Sequence, residues 1–243
     1  MLASAKNFVK SLLKRSPVAL TQNHRYDLQT KQILRRVLRP NSNCIDIGCH
    51  RGEILDLMVE YAPHGQHTGF EPIPVMAADL KVRYADNRNI RIRPLALSNA
   101  AGFANFNYVT SNPAYSGLRK RDYDRAGETD VAIKVETARL DDEIPAGKRI
   151  DLIKLDVEGG ELQVFEGATR LLAEQRPVVV FEHGLGASEH YGSTPSQVYE
   201  VLAKAGLRIS TLGDFLAERP ALTLRAFAEQ YHRKLNYYFV AHR

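Results

Sequence analysis

The sequence is poor in cysteine and contains no long apolar run. Cys44 and Cys49 are its only cysteines, and no cysteine and histidine spacing around them is typical of a metal site. We expect both to be small buried thiols in a reducing compartment rather than parts of a disulfide framework. No uninterrupted apolar stretch approaches the roughly 18–20 residues of a membrane-spanning helix, and Met1-Leu2-Ala3 does not open a secretory signal. These absences predict a cytoplasmic protein.

The composition is that of one ordinary folded domain. The chain has 243 residues, of which 44% are hydrophobic and 25% charged, with a net charge of +5. Part of the positive excess lies in residues 2–15, which can form a basic amphipathic helix. We expect this helix to pack over a ligand site, with peripheral contact to an anionic membrane as the alternative. The predicted division is an N-terminal helical segment, 1–39, followed by the main domain, 40–243.

The order of predicted elements alternates strand and helix, which indicates an α/β fold with a mostly parallel sheet. Strands are predicted at 44–47, 66–70, 90–96, 150–155, 177–181, 207–212 and 235–241. Helices are predicted at 26–38, 53–61, 75–84 and 161–172, and from the capping box at Thr194 to Gly206. Residues 102–109 and 131–137 favour an inserted antiparallel pair, and the polar loop between them is long enough to be functional.

A glycine-rich turn follows the first predicted strand. Asp46-x-Gly48-x-x-x-Gly52 lets the backbone approach a ligand at a helix N-terminus. Arg51 stands where a dinucleotide-binding motif needs its third glycine, and no Gly-Lys-Ser/Thr sequence follows for a phosphate-binding loop. An acid beside the glycines instead suits a ligand with a cationic end, such as S-adenosylmethionine.

Ionisable side chains follow three further predicted strands. Glu71 ends the second strand, where a carboxylate can accept hydrogen bonds from both hydroxyls of a ribose. Ligands of open α/β sheets bind at the carboxyl ends of the strands, and the later groups converge on the same edge. These groups are Lys154, Asp156, Glu158, Glu182 and His183. Burying so many charges for structure alone would be costly unless they pair, so the cluster indicates a functional site.

The segment 150–161 resembles a known family. It reads Ile-Asp-Leu-Ile-Lys-Leu-Asp-Val-Glu-Gly-Gly-Glu, and together with 165–168 it is similar to the FkbM family of S-adenosylmethionine-dependent methyltransferases. Segments 44–52, 69–72, 95–102 and 137–142 agree with that family in order and spacing. The resemblance covers roughly residues 40–185.

The resemblance implies a Rossmann-like class I methyltransferase with a seven-stranded sheet and helices on both faces. It implies that Asp46, Gly48 and Gly52 line the methionine part of the donor, that Glu71 holds the ribose and that Asp156 lies at the methyl end. Ser98 or its neighbours would border the adenine. The remaining expected cofactor-binding residues are Cys49, His50, Pro72 and Leu97. Cys49-His50 departs from the small residue and asparagine that are frequent in the family.

Such enzymes usually methylate hydroxyl oxygens of sugars, glycolipids or natural products, so the resemblance predicts a small-molecule, glycan or glycolipid acceptor. A positioned base helps to remove the hydroxyl proton. His183 is the first candidate because the usual pKa of histidine suits neutral pH, with Asp156 and Glu158 as rivals. Lys154 is expected to orient a carboxylate or stabilise an oxyanion, and Glu182 joins the catalytic group.

The loop before residue 131 is a candidate lid for the acceptor. Aromatic and basic side chains there suit a sugar that carries phosphate or carboxylate; they are Tyr115, Ser116, Arg119, Lys120, Arg121, Tyr123 and Arg125. The alternative is a solvated loop. We expect no metal, although Asp156, Glu182 and His183 are the residues that would hold one.

Three rival functions remain for comparison. A non-catalytic S-adenosylmethionine-binding or interaction module is the main alternative, but it would have no need for the acids on the acceptor side. A dinucleotide-dependent oxidoreductase is disfavoured by the glycine spacing. A nucleic-acid methyltransferase would carry an Asn/Asp-Pro-Pro-aromatic motif, which is absent, so no nucleic-acid partner is predicted. A homo-oligomer is compatible with the sequence.

Overall fold

The computed structural model describes residues 21–123 and 127–243. The helices are α1 (Gln22–Val37), α2 (Glu53–Tyr61), α3 (Pro74–Arg83), α4 (Leu140–Glu143), α5 (Glu161–Glu166), α6 (Thr169–Gln175), α7 (Pro195–Lys204), α8 (Leu212–Leu216) and α9 (Leu224–His232). The strands are β1 (Cys44–Ile47), β2 (His67–Phe70), β3 (Ile90–Arg93), β4 (Ala96–Leu97), β5 (Gly102–Val109), β6 (Asp130–Ala138), β7 (Leu152–Leu155), β8 (Val178–Glu182), β9 (Arg208–Thr211) and β10 (Tyr238–His242). The predicted helix at 2–15 lies outside the described residues, and the division at residue 39 stays a prediction.

The main sheet confirms the predicted α/β fold. Within the described ranges it has seven strands in the order β3-β2-β1-β7-β8-β10-β9. The pairs from β3 to β8 are parallel, whereas β10 is antiparallel to both of its neighbours. The carboxyl ends of β1, β2, β7 and β8 therefore meet at one edge, where α/β sheets bind their ligands. Among the helices of the described chain, none is long and apolar enough to cross a membrane.

The strand register assigns side chains to two covered faces. Asp46 of β1 pairs with Lys154 of β7, which pairs with Val180 of β8, and Val180 pairs with Val240 of β10. Helix α1 covers this face, because Tyr26 packs with Val180 and Val240 in one apolar cluster. A larger core fills the opposite face. Helices on both faces bury every residue of β1 and β7, as is usual for central parallel strands.

A second sheet forms one wall beside the carboxyl edge. It has the order β4-β6-β5, and the predicted pairing of β5 with β6 is confirmed. The predicted strand 90–96 was too long, because β3 ends at Arg93 and Ala96–Leu97 instead pairs with β6. Pro94 explains the break, since a proline has no N–H group for a sheet hydrogen bond.

Three further sequence predictions were incomplete. The predicted helix 161–172 is two helices, α5 and α6, with the break at Gly167 and Ala168. Gly167 packs so closely that a Cβ there would lie 2.1 Å from the Ser98 carbonyl oxygen. The last two strands are antiparallel as predicted, but β10 lies inside the sheet and β9 forms its edge. Helices α8 and α9 were not predicted. Cys44 and Cys49 are buried and free, as expected.

Candidate active site

A cavity of about 260 Å³ lies at the carboxyl edge of β1, β2 and β7. The predicted site residues that line it are Asp46, Gly48, Cys49, His50, Glu71, Pro72, Leu97, Lys154, Asp156 and Glu158. Four other predicted site residues are not part of its lining: Gly52, Ser98, Glu182 and His183. The structure thus brings together groups from three strand ends that are far apart in the sequence.

Gly48 and Gly52, the two glycines of the first turn, have different structural roles. Gly48 has a φ of +75°, and a Cβ there would lie 1.9 Å from the carbonyl oxygen of Asp156. Only glycine lets the turn after β1 pass so close to the turn after β7. Gly52 begins α2 with a φ of +78°, where a Cβ would lie 2.7 Å from the hydroxyl of Tyr84. Gly52 therefore serves helix packing, whereas Gly48 shapes the cavity.

Two buried carboxyl groups stand at the ends of β1 and β2. Asp46 is 2% exposed, and its Oδ2 has no hydrogen-bond partner among the described residues. Burial raises the pKa of Asp46 to about 7, although the Lys154 ammonium opposes this. Glu71 accepts hydrogen bonds from the backbone N–H groups of Ile73 (2.9 Å) and His50 (2.8 Å). Burial nevertheless raises the pKa of Glu71 to about 7. A cation or hydroxyl group entering the cavity would stabilise both carboxylates.

An apolar wall borders this part of the cavity. It is formed by Phe70, Ile73, Leu95, Leu97 and Phe106, which come from the ends of the main sheet and from the second sheet. Ser98 or its neighbours were expected to border an adenine. Ser98 donates its backbone N–H to the carbonyl of Ala138 and is not part of the lining, whereas its neighbour Leu97 lines the cavity, and the adenine contact stays a prediction.

Lys154 and Asp156 also line the cavity and contact each other. Lys154 Nζ lies 3.0 Å from Asp156 Oδ2, and the hydroxyl of Tyr238 donates to the same oxygen. Burial raises the pKa of Asp156, but the Lys154 ammonium and the hydrogen bond from Tyr238 outweigh it and hold this pKa below the usual range. Asp156 is therefore a carboxylate at neutral pH.

Further carboxyl groups surround Asp156. Glu158, in a left-handed conformation, forms an ion pair with Arg121, and burial together with Asp156 raises its pKa to about 8. Burial and the nearby carboxyl groups of Asp156, Glu158 and Glu161 raise the pKa of Glu182 well above the usual value. Oxygen atoms of Asp156, Glu158 and Glu182 lie within 4.8 Å of one another. Since Lys154 and Arg121 already neutralise two of the three, we assign no metal to them, and a metal-free reaction stays a prediction.

His183 is placed away from the cavity, which argues against its predicted role as the base. The ring is 1% exposed and lies between Phe227 and Tyr231, with centroid distances of 5.8 and 4.8 Å. Neither ring nitrogen has a hydrogen-bond partner within the described part of the chain. Successive residues of a strand point to opposite faces of the sheet. The side chain of Glu182 faces Asp156, so the side chain of His183 points to the other face.

The buried ring of His183 predicts a pH-dependent stability. Burial lowers its pKa to about 4, so the unfolded chain binds more protons than the folded one between that pH and the usual value near 6.5. The contribution of His183 alone should lower the free energy of unfolding by roughly 2 kcal/mol as the pH drops from 6.5 to 5, while buried carboxyl groups with a raised pKa, such as Asp46 and Glu71, act in the opposite direction. His183→Leu should remove the His183 contribution, measured as the difference between variant and wild type in urea unfolding at both pH values. The exposed His232→Leu is the control, and an unchanged pH dependence in His183→Leu would contradict the assignment.

Several cavity residues were missed by the sequence analysis. They are Tyr26, Asp27 and Thr30 of α1, Tyr191 of a short 3-10 helix and Tyr238 of β10. No local motif marks them, because α1 and β10 reach the cavity only through their packing on the sheet.

The predicted lid contributes partly to the site. Pro113, Ala114, Ser116 and Leu118 line the cavity. Of the basic residues, Arg121 pairs with Glu158 and Lys120 with Asp130, 2.6 Å away. Tyr115 and Tyr123 stack with their ring centroids 6.2 Å apart. Arg125 lies outside the described residues. Because Arg121 and Lys120 already have carboxylate partners, the predicted affinity for an anionic acceptor gains no support.

A seven-stranded sheet of this order, with a glycine turn and acids at its carboxyl edge, defines a Rossmann-like methyltransferase fold. A family model described as the methyltransferase FkbM domain matches residues 46–209. The chain therefore belongs to the FkbM methyltransferase family, which confirms the resemblance noted in the sequence.

Individual relatives agree with this assignment. The chain is 28% identical over 179 residues to the 2-O-methyltransferase NoeI of Sinorhizobium fredii, covering 67% of this chain and 69% of that protein. It is 30% identical over 174 residues to the methyltransferase sdnD of Sordaria araneosa, covering 60% of this chain and 64% of that protein. A crystal structure of methyltransferase FkbM from Methylobacillus flagellatus shares the fold, with a TM-score of 0.52 at 14% identity. That match covers 84% of this chain and 44% of the other, so this chain spans less than half of its length.

Proposed function

We propose that this protein is an S-adenosylmethionine-dependent O-methyltransferase that acts on a hydroxyl group of a sugar, a glycolipid or a related natural product. The observation that carries the proposal is a single cavity lined by Asp46, Glu71 and Asp156, which follow or end three neighbouring strands of the sheet. The oxygen acceptor is supported by the relative whose name records a 2-O-methyltransferase.

The residues of the cavity fit the donor. Asp46 has an unpartnered, buried oxygen that suits the cationic amino group, and Gly48 allows the turn after β1 to lie against the turn after β7, so that both turns line the cavity. Glu71 suits the ribose hydroxyls, since each of its oxygens keeps a second acceptor position besides its backbone contact. Leu97 and Phe106 offer the apolar wall that an adenine ring needs.

Asp156 is our candidate for the base. When bound, the donor supplies a methyl group on a positively charged sulfur. Asp156 would accept a hydrogen bond from the acceptor hydroxyl, orient the hydroxyl oxygen toward that carbon and take the hydroxyl proton. The methyl group would pass from sulfur to oxygen, so that the S–C bond breaks as the C–O bond forms and S-adenosylhomocysteine is the leaving group. Lys154 keeps Asp156 ionised. Glu158, whose contact with Arg121 would have to open, is the rival base.

Calorimetry tests the donor. S-adenosylhomocysteine should bind the wild type at micromolar concentrations, whereas NAD should not bind. Absence of S-adenosylhomocysteine binding would overturn the proposal, and a protein that binds it but methylates nothing in a panel of sugars, glycosides and phenols would favour a non-catalytic binding module. Radiolabelled S-adenosylmethionine is the donor for that panel.

Glu71→Ala should weaken S-adenosylhomocysteine binding by about 10- to 100-fold, because a charged carboxylate loses its hydrogen bonds to two hydroxyls. Glu71→Gln should lie between this variant and the wild type, since its amide oxygen still accepts. The exposed Glu60→Ala, on α2, is the matched control. An affinity of Glu71→Ala equal to that of the wild type would remove Glu71 from the donor site.

A further inference from the structure

Tyr238 lies in the active site although it is outside residues 46–209, the range of the family model. Its hydroxyl donates to Asp156 Oδ2 and lies 3.3 Å from Lys154 Nζ. The same ammonium is 3.0 Å from Oδ2 and 4.8 Å from the centroid of the Tyr238 ring. Lys154 and Tyr238 therefore both contact the same oxygen of Asp156.

The fold explains why Tyr238 reaches this position. Tyr238 pairs with Glu182 across β10 and β8, two residues from the pair between Val180 and Val240. Lys154 pairs with Val180, so Lys154 and Tyr238 lie on the same face of the sheet. The antiparallel insertion of β10 beside β8 thus brings a C-terminal side chain to the carboxyl edge of β7.

Helix α1 fixes the ring of Tyr238. The ring of Tyr26 lies against it with a centroid distance of 5.2 Å, and the Tyr26 hydroxyl donates to Asn236 Oδ1 at 3.0 Å. Tyr238 has little freedom to turn away, because Tyr26 contacts its ring and the strand fixes its backbone. The site is therefore completed by α1 and β10, two elements that the family model does not cover.

We propose that Tyr238 is a positioning residue for methyl transfer: together with Lys154 it holds Asp156 Oδ2 and keeps the carboxylate ionised, so that its remaining hydrogen-bonding capacity serves the acceptor hydroxyl. This inference rests on the proposed function. The hydroxyl of Tyr238 itself stays protonated, because burial and the neighbouring Asp156 raise its pKa well above the usual value.

The groups around Asp156 set the direction of the expected effect. They are Asp46 of β1, Lys154 of β7, Glu158 and Glu161 of the following turn, Glu182 of β8 and Tyr238 of β10. Burial raises the pKa of Asp156, whereas the cation of Lys154 and the hydrogen bonds with Tyr238, Lys154 and Glu182 lower it. Loss of the Tyr238 hydroxyl must therefore move the titration of Asp156 to higher pH.

Tyr238→Phe removes only the hydroxyl, and Tyr237→Phe is its matched control, since the hydroxyl of Tyr237 contacts Asn23 instead. Asp156 is followed by NMR of protein labelled with carbonyl-13C aspartate, with Asp156→Asn identifying its signal. In Tyr238→Phe the titration midpoint should rise by about one pH unit or more, while S-adenosylhomocysteine affinity stays within about threefold of the wild type. In Tyr237→Phe neither quantity should change.

An unchanged midpoint in folded Tyr238→Phe, with the wild type binding S-adenosylhomocysteine, would overturn this inference and leave the proposed function intact. If the wild type binds no S-adenosylhomocysteine, the proposed function itself fails. Incorporation of 3,5-difluorotyrosine at position 238 covers the case in which Tyr238→Phe does not fold, because it preserves the side chain. Its hydroxyl is a stronger donor, so the midpoint should fall, and an unchanged midpoint there would equally overturn the inference.

Discussion

Asp156→Asn should lower the rate of methyl transfer by about 10²- to 10⁴-fold, the usual contribution of a positioned base. Asparagine keeps the shape of the side chain but cannot take the proton of the acceptor hydroxyl. S-adenosylhomocysteine affinity should stay within about threefold, because the donor contacts that we propose for Asp46 and Glu71 are unchanged in this variant. The rate is measured with radiolabelled S-adenosylmethionine and the acceptor that the wild type methylates best in the panel.

The pH dependence of the rate separates the two candidate bases. The pKa of Asp156 lies below the usual range, so a rate that needs ionised Asp156 should be flat from pH 5 to 8 and fall only in stronger acid. If Glu158 were the base, its pKa of about 8 would make the rate rise steadily with pH up to that value. The exposed Asp142→Asn serves as the control, and wild-type activity in Asp156→Asn would exclude Asp156 as the base.

Gly48→Ala should strongly lower both stability and donor affinity. The new Cβ would lie 1.9 Å from the carbonyl oxygen of Asp156, so the turn after β1 or the turn after β7 must move. We expect the free energy of unfolding to fall by about 3 kcal/mol or more, from backbone strain together with crowding, in a urea titration. S-adenosylhomocysteine affinity should fall by about tenfold or more, because both turns line the cavity.

Gly147→Ala distinguishes the effect of backbone strain from the effect of crowding. Gly147 has nearly the same φ, +73°, but nothing lies within 4 Å of the position of its Cβ. It should therefore cost about 1–2 kcal/mol from backbone conformation alone and leave donor binding unchanged. Equal losses of stability in Gly48→Ala and Gly147→Ala would show that the close contact between Gly48 and the Asp156 carbonyl does not contribute to the loss.

The local sequence pattern was sufficient to predict those helices and strands whose position depends only on their own residues. The apolar runs of β1, β7 and β8 and the capping box before α7 lie close to their predicted positions. Pattern failed where a contact from elsewhere decides the outcome. The helical repeat 161–172 is interrupted at Gly167, where the Ser98 carbonyl leaves no room for a side chain, and the chain leaves the main sheet after β3 to pair with β6.

The choice of catalytic base likewise depends on contacts that the local sequence does not show. His183 was favoured on the usual pKa of a histidine, which is a property of the isolated side chain. Burial between Phe227 and Tyr231 lowers that pKa and removes the ring from the cavity. The ionisation of Asp156 likewise depends on Lys154 and on Tyr238, whose approach no spacing in the sequence could predict.

The sequence by itself determined the α/β fold, the family, and the glycine and acids that end β1, β2 and β7, because strand periodicity and the residues after each strand are local properties. Tertiary structure alone decided which of these groups share a cavity and which are ionised. Strand order, the antiparallel insertion of β10 and the packing of α1 bring Tyr238 and Tyr26 to Asp156, whereas His183 points to the opposite face. Burial and charge pairing, which set each pKa in the site, exist only after those distant elements have packed together.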